Sequence, residues 1–138
     1  MRLALGHLSR WNDLTLFGLR ALTGGFLMHE TWDNVTSRAR MNEFVQFLDQ
    51  FGFPLPWLLA PFSVAVQFGC GALLVVGLLT RWAGLLIAAN FTVAVAMVHA
   101  SEPFRGWWPA IVLVFLGLHF AASGSGKFGL DGFFGRGR

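Results

Sequence analysis

The sequence predicts an all-α membrane protein, a bundle of four transmembrane helices with an amphipathic interfacial helix between spans 1 and 2. Two observations carry that class. The chain has 138 residues, of which 55% are hydrophobic and only 12% charged, more apolar surface than one small aqueous core can hide. The stretch from Phe68 to Asn90 joins two uncharged apolar runs through a turn whose only charge is Arg81, the pattern of a membrane hairpin.

Four segments, 14–32, 55–79, 82–99 and 107–122, are long enough or nearly so to cross a hydrocarbon core that needs about 20 helical residues. Unpaired backbone groups cost several kcal/mol in lipid, so each should be helical, and the abundant glycine should let helices approach closely. The whole chain, 1–138, reads as one integral-membrane domain.

The stretch between the first two spans has its own pattern. Met41, Phe44, Val45, Leu48 and Phe51 recur at helical spacing, with Glu43, Gln46, Asp49 and Gln50 at the other positions. An amphipathic helix over about 37–51 is expected, capped by Thr36 or Ser37 and ended by Gly52 and Pro54.

Charge sets the expected orientation. Arg2, Arg10, Arg81, Lys127, Arg136 and Arg138 fall on one side of four spans, against Arg38, Arg40 and Arg105 on the other. Six against three puts both termini in the cytoplasm of a bacterial inner (plasma) membrane protein. The basic excess then meets anionic headgroups of membrane lipids, and no base-reading motif argues for nucleic acid.

Several motifs are excluded. The single Cys70 allows no intramolecular disulfide, which rules out the four-helix reductases that work through paired thiols. Gly124-Ser-Gly126-Lys-Phe-Gly129 fits G-x-G-x-x-G but follows a membrane span rather than a strand, so it lacks the context of a dinucleotide site. Asn34-Val-Thr36 is a short glycosylation match without secretory context, and the N-terminus has no small-residue cleavage site.

Function is then sought among the polar residues of the spans, which are expensive to bury. His29 and Glu30 end the first span and His99 ends the third, with Glu102 just beyond, giving an outer polar layer. Arg20 lies about 14 Å deeper than His29 along the first helix, with His119 at a similar inner level. Gln67 and Asn90 fall between the layers. On the second span Gln67, Cys70, Gly71 and Leu74 share one face, expected to look inward. His29 and His99 are expected to face one another across the bundle and to hydrogen-bond one headgroup, with a carboxylate setting the tautomer. No His-x-x-His or Glu-x-x-His spacing supplies two ligands from one helix, so a quinone or plain hydrogen bonding ranks above a haem or metal ion.

Arg20-Ala-Leu-Thr-Gly-Gly-Phe-Leu-Met-His29, Phe51-Gly-Phe-Pro-Leu-Pro56, Gly69-Cys-Gly-Ala-Leu-Leu-Val-Val-Gly77-Leu-Leu-Thr-Arg81, His99 and Gly124-Ser-Gly-Lys-Phe-Gly-Leu-Asp131 together resemble the successive motifs of the DoxX family. The chain departs from the family's pattern in His29-Glu30-Thr-Trp, where His-Gly and a lysine are common, and in Gln67, where an acid is common. The resemblance implies a small four-helix bacterial inner-membrane protein associated with quinone-linked sulfur oxidation and membrane oxidoreductase complexes. Arg20 can pair with Asp13, two turns below it on the same face, or with Asp131 beyond the fourth span. The resemblance favours a structural ion pair of Arg20 with Asp131, which both recur in the motifs, and reversing the two should then restore part of the expression lost on breaking it.

With one thiol and no flavin motif, the chain fits a quinone-binding or anchoring subunit better than a complete enzyme. The candidate cofactor-binding residues are His29, Glu30, His99, Glu102 and Gln67. The alternatives are a non-catalytic accessory subunit of a larger assembly, with membrane or peripheral protein partners or a second copy of itself, and passage of a small solute or proton past Gln67 and Asn90.

Overall fold

Residues 5–135 are described by the structure, a computed structural model. Among them every regular element is helical: a 3-10 turn over Gly6–Trp11, then α1 (Asn12–Thr36), α2 (Arg38–Gln50), α3 (Pro56–Val76), α4 (Thr80–Ala94) with a π-helical turn over Val95–His99, α5 (Phe104–Ser123) and a short α6 (Leu130–Gly135). Arg2, Arg136 and Arg138, counted in the charge bias, lie outside the described residues.

Each long helix buries one stripe. On α1 it is Leu16, Arg20, Thr23, Gly24, Leu27 and Thr31; on α3 Ala60, Val64, Cys70, Gly71 and Leu74; on α4 Thr80, Ala83, Gly84, Ile87 and Ala88; on α5 Ala110, Leu113, Val114, Gly117 and Phe120. Steps of three and four residues keep these positions on one face. Many inward residues are Gly, Ala or Thr, whereas Leu22, Phe62, Trp82 and Phe115 stand out from the surface. Small residues inside and large apolar ones outside is the arrangement of a bundle solvated by lipid. Pro56–Val76, Thr80–His99 and Phe104–Ser123 are long and apolar enough to cross a membrane. Helix α1 has the length, at 25 residues, but carries Asp13, Arg20, Glu30 and Asp33.

Successive helices run antiparallel. Arg20 meets Leu74 while Met28 meets Gly71, so α1 climbs as α3 descends, and Arg81 meets Ala121 while Gly84 meets Gly117, so α5 descends along α4. Helix α1 packs on α3, α3 on α4, and α4 on α5. The molecule therefore has two ends: a turn end, where α3 passes into α4, and an α2 end.

Helix α2 packs on α1 and α3 at that second end. Ser37 Oγ accepts from Arg40 N, and Met41, Phe44, Val45 and Leu48 turn toward α1 and α3 while Glu43, Gln46 and Asp49 stay exposed. Phe44, Phe47 and Phe51 form a run of neighbouring rings along it.

Two glycine pairs set the closest helix approaches. A Cβ on Gly24 would strike the carbonyl of Gly71 on α3, and one on Gly84 would strike the carbonyl of Gly117 on α5. The neighbouring Gly25 meets nothing within 4 Å. We predict opposite signs for adjacent substitutions. Gly24→Ala should lower stability by about 1–3 kcal/mol by forcing the helices apart, whereas Gly25→Ala should be neutral or stabilise by up to about 1 kcal/mol through helix propensity. Thermal unfolding in detergent micelles measures both, and equal effects would contradict this packing.

Candidate functional site

The polar residues resolve into three clusters and one groove. At the turn end Arg20 is completely buried. Its Nη1 donates to the carbonyl oxygen of Leu74 at 2.7 Å, and its guanidinium lies 5.6 Å from the Phe17 ring centroid, which in turn meets Phe128 edge-on. Gly77 ends α3 with φ 72°, a conformation that glycine adopts without strain. A Cβ there would also press on the Arg20 guanidinium.

Asp131 adjoins this group without bonding it. Its Oδ1 accepts from Leu79 N and its Oδ2 from Thr80 N, both at 2.8 Å, while its own N–H donates to Gly77 O at 2.9 Å. Asp131 thus caps the start of α4 from a distant part of the chain, bonding the N–H of the N-cap residue Leu79, whose φ is 50°. Among the described residues no ion pair joins Arg20 to Asp131, contrary to the sequence expectation. The two charges act on each other through space while each bonds main chain.

The glycine-rich segment after α5 is the strap that carries Asp131. Lys127 N donates to Asp13 Oδ1 at 3.1 Å, Gly126 passes against Leu16 and Asp13, and Gly132 N donates to Ser125 Oγ. Arg81 caps α5 by donating to the carbonyls of Ala121 and Ala122. A cavity of about 430 Å³ opens here, lined in part by Thr80, Arg81, Ser123, Ser125 and Asp131.

Between the ends, Ser63 Oγ donates to Asn90 Oδ1 at 2.8 Å and accepts from Gln67 Nε2 at 3.0 Å. Ser63 is the member that sequence reading missed, although its i, i+4 spacing to Gln67 was a usable signal. The three form a half-buried seam joining α3 to α4.

At the α2 end the two histidines separate. His99 Nδ1 lies 2.8 Å from Glu102 Oε2, with Glu102 folded over Gly106 at the start of α5. His29 points outward, its side chain 86% exposed and 3.7 Å from Glu30. The buried stripe of α1 passes through Leu27, and His29, two residues on, is rotated by about 200° at 3.6 residues per turn. The structure therefore gives His29 no inward face and no bond to His99.

The groove runs along the flank of α5 beside Leu19 of α1, where these helices lack the close packing seen at the other helix pairs. It encloses about 610 Å³ and is lined by Leu19 and by Phe104, Trp107, Trp108, Ile111, Val112, Phe115, Leu116 and His119. His119 is the most polar side chain in that wall. Among the described residues no group of three or more His, Cys, Asp and Glu side chains converges to hold a metal ion.

Comparison with known proteins gives one match, to the family model described as DoxX, over residues 15–100 and so over more than half of the chain. It ends at the π-helical turn, leaving α5, His119 and Asp131 beyond it. No curated protein and no solved structure matches.

The turn-end geometry generates a prediction that a simple ion pair would not. Asp131→Ala should cost about 1–3 kcal/mol, because it leaves the N–H groups of Leu79 and Thr80 without acceptors and removes a negative charge near Arg20. Arg20→Met combined with Asp131→Ala should cost less than the sum of the single changes. The reversed double variant, Arg20→Asp with Asp131→Arg, should recover nothing, since arginine cannot accept from Leu79 and Thr80. Unfolding midpoints in detergent measure all four, and recovery in the reversed variant would reinstate a direct ion pair.

Proposed function

The chain belongs to the DoxX family, and from that premise we propose that it is a four-span subunit of the bacterial inner membrane that binds quinone and works with a partner oxidoreductase. Helix α1 serves as the fourth span. Its support is geometric: α1 lies antiparallel on α3, and its charged Arg20 is brought level with the α3 to α4 turn rather than the middle of the bundle. The remaining charges of α1 lie toward its two ends, where water and headgroups solvate them. On this reading the turn end faces the cytoplasm with both termini, and α2 lies on the opposite surface as an interfacial helix.

The single observation that carries the quinone reading is the groove beside α5. It is walled almost wholly by carbon, it runs along a helix of membrane-crossing length, and it has few polar groups to fix an orientation. Ligand sites for lipid-soluble molecules have this composition. A long-chain quinone diffusing in the bilayer reaches such a site sideways.

A second reading, the non-catalytic accessory subunit, is favoured by a different observation. Asp131, Ser63, Gln67, Asn90, His99 and Glu102 all find partners within this chain, and Arg20 finds one through Nη1. Polar groups so engaged fix helix register and leave little for chemistry.

One purification separates the two. An organic extract of the purified protein should contain isoprenoid quinone in an amount approaching one per chain, above that of an unrelated membrane protein prepared alongside. Background levels of quinone, with the chain recovered only inside a larger complex, would favour the accessory reading.

Topology has its own test. Single cysteines replacing Arg38 or Arg105 should react with an impermeant thiol reagent added to spheroplasts, whereas those replacing Arg10 or Lys127 should react only after lysis. The reverse pattern would exchange the two ends.

A further inference from the structure

We infer that the groove beside α5 receives the neutral, carbonyl-bearing headgroup of a long-chain quinone at its turn end, against the imidazole of His119, and not at the layer of His29 and His99. This inference rests on the quinone reading above and names the residue and the end of the groove involved.

The wall of the groove is polarised along its length. From Phe104 to His119 is 15 residues, about 22 Å of helix at 1.5 Å per residue and most of a hydrocarbon core. Phe104, Trp107 and Trp108 form an aromatic cluster at one extreme, Ile111, Phe115 and Leu116 continue as plain hydrocarbon, and His119 stands at the other. Among the described residues its imidazole has no hydrogen-bond partner; its nearest aromatic neighbour is Phe120, at 6.0 Å between centroids. An imidazole can donate to a carbonyl and accept from a hydroxyl, so one residue can serve both redox forms of a quinone ring.

Charge excludes the competing occupant. A phospholipid would bring a phosphodiester, which needs cations, and among the described residues no Lys or Arg lines the groove. Among the described arginines near that end, Arg20 is enclosed with its Nη1 on the carbonyl of Leu74, and Arg81 donates to the carbonyls of Ala121 and Ala122. His119 also lies four residues before the end of α5 at Ser123, about 6 Å inside the helix end. A neutral headgroup can occupy that depth, whereas a phosphate belongs outside it.

The α2 end offers poorer chemistry for the same headgroup. His29 faces away from the bundle beside Glu30, and the Nδ1 of His99 is taken by Glu102. Neither histidine lines the groove.

The test uses the full chain in detergent micelles and a decyl-substituted benzoquinone as the probe, titrated by quenching of tryptophan emission, to which Trp107 and Trp108 in the groove contribute. The parent should bind saturably. His119→Phe should weaken binding about tenfold, equivalent to about 1.4 kcal/mol, His119→Gln should recover part of the loss, and His99→Phe should match the parent. His119 is exposed, so its variants should keep the parent's unfolding midpoint. A short-chain phosphatidylcholine at equal concentration should not displace the probe.

A photoreactive azidoquinone gives an independent readout. It should label residues 115–119 in preference to 29–30 and 99–102. Unchanged binding by His119→Phe, loss of binding in His99→Phe, labelling at the α2 end, or displacement by the phospholipid would each overturn the placement while leaving quinone binding standing. Failure of the parent itself to bind the probe saturably would overturn the quinone reading together with the placement.

Discussion

A guanidinium with no exposure to solvent dictates how the turn end of this bundle is built. Arg20 cannot shed its charge, and burying it uncompensated would cost several kcal/mol. The chain answers with one main-chain carbonyl and a nearby carboxylate. Helix α3 ends at Gly77 so that Leu74 O stays open to accept from Nη1, while Nε and Nη2 are buried without a hydrogen-bond partner among the described residues. The strap after α5 returns Asp131 to the same place, where it caps α4 and adds a negative charge within reach. Three separate parts of the chain are tied at one point, and the register of α1, α3 and α4 follows from that tie.

Above this point the packing is governed by which helix edges carry glycine. Gly24 against Gly71 draws α1 onto α3, and Gly84 against Gly117 draws α4 onto α5. Contacts made by bare backbone are close enough for dispersion forces to act in a solvent that offers no hydrophobic drive between helices. The edge between α1 and α5 has no such pair. Leu19 and Leu116 line the gap left there instead. The groove is therefore a consequence of the same rule that closes the other edges.

Much of this was legible in the sequence, and the exceptions share a cause. Hydropathy located the long helices, and the 3.6-residue rhythm of Met41, Phe44, Val45 and Leu48 gave α2 with its Ser37 cap, because these signals are local. The inward face of α3 through Cys70, Gly71 and Leu74 was also readable. His29 was placed by its depth and read as ending an inward-facing stripe. Its phase relative to Leu27 turns it outward, and depth carries no information about phase. Arg20 and Asp131 were read as a direct ion pair, whereas each bonds main chain, because no local pattern reports that a carboxylate caps a helix some fifty residues away. The strap was rejected as a dinucleotide loop on context, and its glycines prove to serve close passage against Leu16, Asp13 and Gly77. The groove depends on two helices far apart in sequence and leaves no trace in either one.

The distribution of satisfied and unsatisfied polar groups bears on what such a molecule can do. A hydrogen-bonded network such as Ser63, Gln67 and Asn90 stiffens the seam it joins, and the bond from His99 to Glu102 fixes the loop leading into α5. Groups already bonded within the chain must break a bond before they can hold a ligand, at a cost of about 0.5–1.5 kcal/mol for an ordinary hydrogen bond. Among the described residues His119 has no such bond to break. It also sits in a wall whose other members favour an apolar occupant by contact alone. The proposed site thus combines nonspecific affinity along its length with one directional group at its end, which is what selecting a headgroup among membrane lipids requires.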